Sequence, residues 1–259
     1  MEISLAAEKI AHLGPIPITN SMFTSWIATL IIIVLAIVAT RKMSLIPRGI
    51  QNGAEMVVEM LQGLVNSVMG DMNQTKKYFP YLATIFLFII FNNWLGLLPG
   101  VGSIGIHEIV HGKEILVPIF RGGNADLNTT LALALMTMTL VQFFGIFAIG
   151  IWKYGGKFIN FKEGPIGFFV GILEIIGEFS RIISFSFRLF GNIFAGEVLL
   201  AVITWLLPYV GPIPFYGLEI FVGFIQALVF TMLAAVFIKT ATEDHSAHEE
   251  HESAPAHAA

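Results

Sequence analysis

Long apolar segments alternate with short polar segments along this chain. Four of the apolar segments have the length of a membrane-spanning helix, which needs about 20 residues. They are residues 22–40, 79–98, 127–152 and 215–238. A fifth apolar segment, residues 165–207, is about twice as long. The pattern predicts an all-α polytopic integral membrane protein with about five membrane helices.

The fifth segment contains a single proline, Pro165 at its start, so no helix breaker interrupts it. At about 1.5 Å per residue, one helix over this segment would reach roughly 64 Å, about twice the ~30 Å hydrocarbon core. We therefore expect one long, steeply tilted helix, or two spans joined by a bend near Gly191 or Gly196. Because prolines and glycine follow at positions 208–214, residues 165–240 are predicted to form a long membrane hairpin.

Residues 48–71 show an amphipathic pattern, with apolar residues at spacings of three and four and polar residues on the other face. The apolar positions are Ala54, Val57, Val58, Leu61, Leu64, Val65 and Val68, and the polar positions are Gln51, Glu55, Glu59, Gln62 and Asn66. This pattern predicts one amphipathic surface helix, which serves either as an interfacial connector or as a site for a partner protein.

Three segments carry no helical pattern. Residues 1–21 lack the features of a signal peptide and form an outer N-terminal segment. Residues 99–126 are predicted to be a Gly-rich loop, and residues 242–259 a disordered cytoplasmic tail. Residues 22–241 between the two ends are predicted to form a single membrane domain.

Composition excludes several classes of protein. The chain is 56% hydrophobic and 12% charged, with a mean hydropathy of +0.79, which is far too apolar for a soluble protein of 259 residues. It has no cysteine, so disulfides and thiolate metal sites are impossible. No internal repeat supports an inverted-repeat transporter, and no phosphate-binding loop is present. Three tail histidines, His245, His248 and His251, are interpreted as incidental; we expect no metal and no cofactor.

The basic residues predict the orientation in the membrane. With the N-terminus outside, nine basic residues are cytoplasmic, namely Arg41, Lys42, Arg48, Lys76, Lys77, Lys153, Lys157, Lys162 and Lys239. Three lie outside, namely Lys9, Lys113 and Arg121. This bias favours an outer N-terminus and a cytoplasmic C-terminus.

Charged side chains inside residues 165–207 are the candidate chemistry. An arginine near the bilayer centre costs at least about 2.5–3.5 kcal/mol on insertion scales, so it is rare without a function or a partner. With about 100° per residue, five polar side chains fall within about 40° of one line: Glu174, Arg181, Ser184, Arg188 and Asn192. This strip places Arg188 at mid-depth, about 21 Å along the axis from Glu174.

A second carboxylate lies on the other side of Arg188. Glu197 falls on the opposite face of the helix, about 13 Å beyond Arg188. Simple counting around the hairpin places it opposite Glu219, and two nearby carboxylates in a low dielectric suit proton carriage. The arrangement indicates two polar access routes that do not join.

Structural roles remain open for some of these residues. Glu178 and Arg181 are three positions apart and could form a bracing ion pair. Asn92 and Asn93 could line a water route or could form hydrogen bonds between helices.

Four motifs, in this order along the chain, resemble those of subunit a of the bacterial F-type ATP synthase. They are FNNWLGLLP at residues 91–99, DLNTTL at 126–131, SFRLFGNIFAGE at 186–197 and QALVF at 226–230. The resemblance extends over about residues 22–238.

The resemblance implies a proton-translocating stator subunit of the Fo sector, which is not an enzyme by itself. Arg188 would separate two aqueous half-channels facing a rotating ring of c subunits and would release the proton from each passing ring carboxylate. The other positions that match the half-channels are Asn192, Glu197, Glu219, Gln226 and Glu174, and further possible members are Glu178, Ser184, Asn93 and Asn128.

The implied partners are the c-subunit ring, a b-subunit peripheral stalk, the remaining ATP synthase subunits and the lipid bilayer of a bacterial plasma (inner) membrane, with no nucleic acid. One departure is visible: some members carry histidine at one of the positions 197 and 219, where this chain has two glutamates. The family also brings Gln226 near Arg188, whereas counting along the hairpin places it nearer Glu197. The alternative function is an ion-coupled secondary transporter.

Overall fold

The computed structural model describes residues 7–14, 16–41, 43–98, 104–110, 113–158 and 164–243. Its helices are α1 Asn20–Thr40, α2 Ile50–Met69, α3 Met72–Gly96, α4 Leu127–Ile149, α5 Ile151–Phe158, α6 Gly164–Leu206 and α7 Pro212–Thr242. Five of these described helices, α1, α3, α4, α6 and α7, are long and apolar enough to cross a membrane. The predicted all-α membrane fold is confirmed.

The long apolar segment forms one helix. α6 runs for 43 residues without a break, so neither Gly191 nor Gly196 bends it out of helical geometry. After a turn at residues 207–211, Pro212 begins α7 at the first helical position, where a missing N–H costs nothing. The two helices form the predicted hairpin.

Two β-hairpins occupy segments that were expected to be irregular. Strands β1 (Lys9–Leu13) and β2 (Ile16–Thr19) are antiparallel, and so are β3 (Gly105–Val110) and β4 (Lys113–Pro118). The prediction of a Gly-rich loop over residues 99–126 missed β3 and β4, where β-branched residues on both strands favour a hairpin. The sequence therefore carried a signal for β3 and β4.

The third span is also shorter than expected. α4 ends at Ile149, and Gly150 has φ of 93°, a backbone conformation that favours glycine. The short helix α5 then starts at Ile151. The prediction of one span over residues 127–152 thus merged the ends of two helices.

α3 and α7 form the centre of the bundle. Their fully buried residues include Leu82, Ile89, Ala234 and Ile238. α2 adds Leu61, Val65 and Met69 to the same core, so the predicted apolar face is buried in part, while Val57 and Val58 are exposed. Since the buried strip of α2 packs on its own chain, the connector interpretation of this helix is favoured.

Candidate functional site

The packing of α6 against α7 sets the level of each polar residue in the hairpin. Asn192 Nδ2 donates a hydrogen bond of 2.6 Å to Gln226 Oε1. The rings of Phe185 and Phe230 pack edge to face with their centroids 4.7 Å apart. Gln226 therefore lies one helical turn from the level of Arg188, and the expectation that it lies nearer Glu197 was wrong. Counting from the turn failed because side-chain packing, and not the turn, fixes the offset of the two helices.

Arg188 lies at the centre of the 38-residue apolar segment Phe169–Leu206 of α6 and is exposed on the surface of the bundle. Its guanidinium Nη2 donates to Ser184 Oγ at 3.4 Å, one turn earlier on the same helix. Within the described part of the chain, Arg188 makes no salt bridge with a carboxylate. Its charge is therefore not compensated by any carboxylate of the described residues.

The Glu174 cluster, composed of Glu174, Glu178 and Arg181, lies on α6 before Arg188. Arg181 Nη1 donates to Glu178 Oε1, and Arg181 Nη2 lies 3.9 Å from Glu174 Oε1. The guanidinium also stands 5.1 Å from the centroid of the Phe237 ring. The predicted ion pair between Glu178 and Arg181 is confirmed, and Glu174 belongs to the same cluster.

A groove of about 320 Å³ between α4 and α6 opens beside the Glu174 cluster, and its lining is Met138, Thr139, Gln142, Ile175, Glu178, Phe179 and Ile182. The Tyr154 hydroxyl on α5 donates to Gln142 Oε1. Burial, together with the nearby carboxylates of Glu178 and Glu174, raises the pKa of Tyr154 to about 12. This hydroxyl is therefore a neutral donor at physiological pH.

The Glu197 cluster, composed of Arg121, Glu197 and Glu219, lies beyond Arg188. Arg121 donates to Glu197 Oε2 from both Nη2, at 3.2 Å, and Nε, at 3.4 Å. Arg121 is only 5% exposed, whereas the Glu197 side chain is 39% exposed. Sequence reasoning missed Arg121 as a site residue because it lies 76 positions from Glu197 in a segment predicted to be a Gly-rich loop.

The segment that carries Arg121 is buried among the spans. Its backbone N–H donates to Thr24 Oγ1 of α1 at 3.2 Å. Asn124 Nδ2 donates to Asn93 Oδ1 of α3 at 2.7 Å. At Gly123, a Cβ would overlap side-chain atoms of α1 and α3. The run of small residues after Arg121 is the one sequence signal of this close packing.

Glu219 on α7 is 6% exposed, and its carboxylate lies against Gly196, the residue before Glu197. Among the described residues, Glu219 has no salt bridge and no hydrogen bond. Two turns along α7, Gln226 Nε2 is also buried without a hydrogen-bond partner. A buried polar group without a hydrogen-bond partner costs free energy unless water or another group satisfies it. The polar groups on this face of α7 are therefore suited to binding water.

Two of the candidate residues lie away from Arg188 and have structural contacts. Asn93 Nδ2 donates to Gly223 O at 2.9 Å, while its Oδ1 accepts from Asn124. Asn128 donates from its backbone N and its Nδ2 to Asp126 Oδ1 in the N-cap of α4. The contacts of Asn93 favour the packing role over the water route.

Comparison with known proteins agrees with this architecture. Residues 22–239 match the family described as "ATP synthase A chain". A protein of Gloeobacter violaceus named "ATP synthase subunit a" is 37% identical over 238 residues, covering 92% of this chain and 89% of that protein. Proteins with the same name from Moorella thermoacetica and Campylobacter jejuni are 34% and 36% identical, and the matches cover 92% and 86% of this chain and 97% and 89% of theirs.

The family match contains the five membrane-length helices, except for the first two residues of α1 and the last three residues of α7. Both charged clusters lie within it. Identity above 30% over most of both chains agrees with the match. The chain therefore belongs to the ATP synthase A chain family.

Proposed function

We propose that this chain is the proton-translocating stator subunit of the Fo sector of an ATP synthase. In this proposal α6 and α7 form two offset aqueous half-channels against a rotating ring of c subunits, and Arg188 separates them. The family and the name shared by its relatives support the stator role. The chain also spans most of the length of these relatives.

The uncompensated charge of Arg188 carries the proposal. A guanidinium at the centre of an apolar helix is costly unless an anion or water stabilises it. The described residues offer it a serine hydroxyl and no carboxylate. A carboxylate on a ring subunit that passes this exposed face would supply the missing anion, and Arg188 would favour its ionised form.

The two clusters suit the two access routes. The Glu197 cluster, with Asn192 and Gln226, offers polar groups on one side of Arg188. The Glu174 cluster and its groove offer polar groups about 10–21 Å away along α6 on the other side. A proton would reach the ring carboxylate by the first route and leave it by the second, while the cation between them blocks direct passage.

The basic residues indicate the side of the membrane to which each cluster opens. Their distribution supports an outer N-terminus and a cytoplasmic C-terminus in a bacterial inner membrane, so the Glu197 cluster would open outside and the Glu174 cluster inside. One proton falling through 100 mV releases about 2.3 kcal/mol, so several protons are needed for each ATP. Nucleotide chemistry belongs to other subunits in this proposal, and a b-subunit stalk would hold this chain against the ring.

Arg188→Ala tests the proposal. We expect the complex to assemble, with proton-driven ATP synthesis reduced by at least about 10²-fold, since a preorganised charge at a reacting group contributes that much. Arg188→Lys should fail in large part, because an ammonium lacks the planar donor fork of arginine. The measurement is ATP synthesis in vesicles, normalised to assembled complex.

Arg41→Ala is the matched control, since it removes an exposed guanidinium at the end of α1. It should retain synthesis within about twofold, as expected for a surface substitution. Near-normal synthesis by assembled Arg188→Ala would exclude the proposed role and would favour an ordinary transporter cavity.

A further inference from the structure

We infer that Arg121 is a positioning residue for the Glu197 side of the proton path, where it holds the Glu197 carboxylate in one orientation and balances its charge. The inference rests on the proposed function and deepens it. It assigns a task to a residue outside the α6–α7 hairpin.

The geometry of the ion pair supports this assignment. Nε and Nη2 of Arg121 both donate to the same oxygen, Glu197 Oε2. The shared acceptor fixes one carboxylate oxygen, and the half-exposed side chain can present the other to water. Charge-assisted hydrogen bonds are about twice as strong as neutral ones, so this contact restricts the rotamer of Glu197.

The guanidinium is itself fixed by the protein. The backbone of Arg121 is tied to Thr24 of α1, and Asn124 ties the same segment to Asn93 and to Ile89 O of α3. These contacts hold the cation at the boundary between three spans. Arg121 therefore acts from a preorganised position and does not have to reach Glu197 through a flexible loop.

The two carboxylates of the Glu197 cluster consequently have different tasks. Glu197 is held by a cation, whereas Glu219 makes no salt bridge with any described residue and contacts the backbone at Gly196. The Arg121 cation offsets the charge of Glu197 beside Glu219. Glu219 is thus the carboxylate that can exchange its proton with water, and Glu197 forms part of the wall that orients that water.

A double-mutant cycle on the intact complex tests the inference. The variants are Arg121→Gln, Glu197→Gln and the double variant, and the readout is proton flux per assembled complex in vesicles. We expect Arg121→Gln to lower the flux about tenfold, as for loss of a hydrogen bond to a charged group. The double variant should resemble Glu197→Gln alone, because the two residues act as one unit.

Arg121→Lys should restore flux to within about threefold of wild type, because it keeps the charge that balances Glu197 and loses only the second donor. A merely structural role of the arginine would give no such rescue. Arg48→Gln, which removes an exposed guanidinium elsewhere, is the charge control and should leave the flux unchanged.

Each other outcome has a distinct meaning. Normal flux in Arg121→Gln with impaired flux in Glu197→Gln would overturn this inference and leave the proposed function intact. Normal flux in Glu197→Gln would remove the Glu197 cluster from the proposed path. If Arg121→Gln does not assemble, the double variant decides, because it removes both charges of the pair. Failure of that variant to assemble, or additive losses of flux, would overturn the positioning role.

Discussion

An arginine with two glutamates lies at each half of α6, but the chain builds the two clusters in different ways. In the Glu174 cluster all members lie on α6, within two turns of one another. In the Glu197 cluster one member comes from α6, one from α7 and one from the segment before α4. The first cluster is a local product of helical spacing, and the second exists only when three parts of the fold are packed together.

The difference extends to the state of the carboxylates. Arg181 contacts both glutamates of its cluster and is about one third exposed. Arg121 is buried and holds Glu197, while Glu219 is left against Gly196. We therefore expect the Glu174 cluster to tolerate single changes better than the Glu197 cluster. The following predictions test that contrast.

Replacement of Glu219 should have the largest effect. Glu219→Gln removes the carboxylate that we place in proton exchange, and loss of a general acid or base typically costs 10²–10⁴-fold. We expect flux in vesicles to fall by about 10²-fold. Glu178→Gln is the comparison, and it should retain far more flux because Glu174 remains beside Arg181. Equal losses in the two variants would contradict the contrast.

A methyl group at Gly196 should have the next largest effect. Gly196→Ala would overlap the Glu219 carboxylate and force it to a new position. We expect about a tenfold loss of flux, since small misplacements of a reacting group cost 10²-fold or less. Gly217→Ala on α7 is the matched control, because nothing lies within 4 Å of its added Cβ. If both variants retain normal flux, Glu219 is not confined as described.

Removal of the Arg181 cation should matter less. Its side chain is 31% exposed, so water can replace much of the stabilisation that Glu174 and Glu178 receive. We expect Arg181→Gln to lower flux about threefold, which is smaller than the tenfold loss expected for Arg121→Gln. The same vesicle assay compares the two. A larger loss in Arg181→Gln would reverse the proposed ranking of the clusters.

The smallest effect is expected at Tyr154. With a pKa of about 12 against an ordinary value of 10.0, its hydroxyl stays protonated from pH 7 to 10, so we place no ionisable proton carrier at this position of the groove. Tyr154→Phe should therefore keep flux within about twofold while losing about 1 kcal/mol of stability with the Gln142 hydrogen bond. Because the raised pKa favours the neutral folded form, its contribution to stability is lost only as pH rises from 10 towards 12. A tenfold loss of flux at pH 7 would make this tyrosine part of the path.

Sequence reasoning could predict what depends on short spacings. Length and helical periodicity predict the five spans, the unbroken α6 as one of two alternatives, and the pair of Glu178 and Arg181. They also predict the place of Arg188 at the centre of the apolar segment of α6. The Arg121–Glu197 pair could not be predicted in this way, because it joins residues 76 positions apart through a buried connection. The level of Gln226 depended on interhelical packing, which counting from a turn does not capture.

The central claim is that Arg188 divides two routes that open to opposite sides, and the sidedness of single cysteines tests it most directly. The chain has no native cysteine, so each introduced thiol is unique in this subunit. Thiols in Glu219→Cys and Asn192→Cys should react with a membrane-impermeant reagent added outside. Those in Glu174→Cys and Ser184→Cys should react with the same reagent added from the cytoplasm. Labelling of both pairs from one side would contradict the account, because a single continuous cavity would then reach past Arg188.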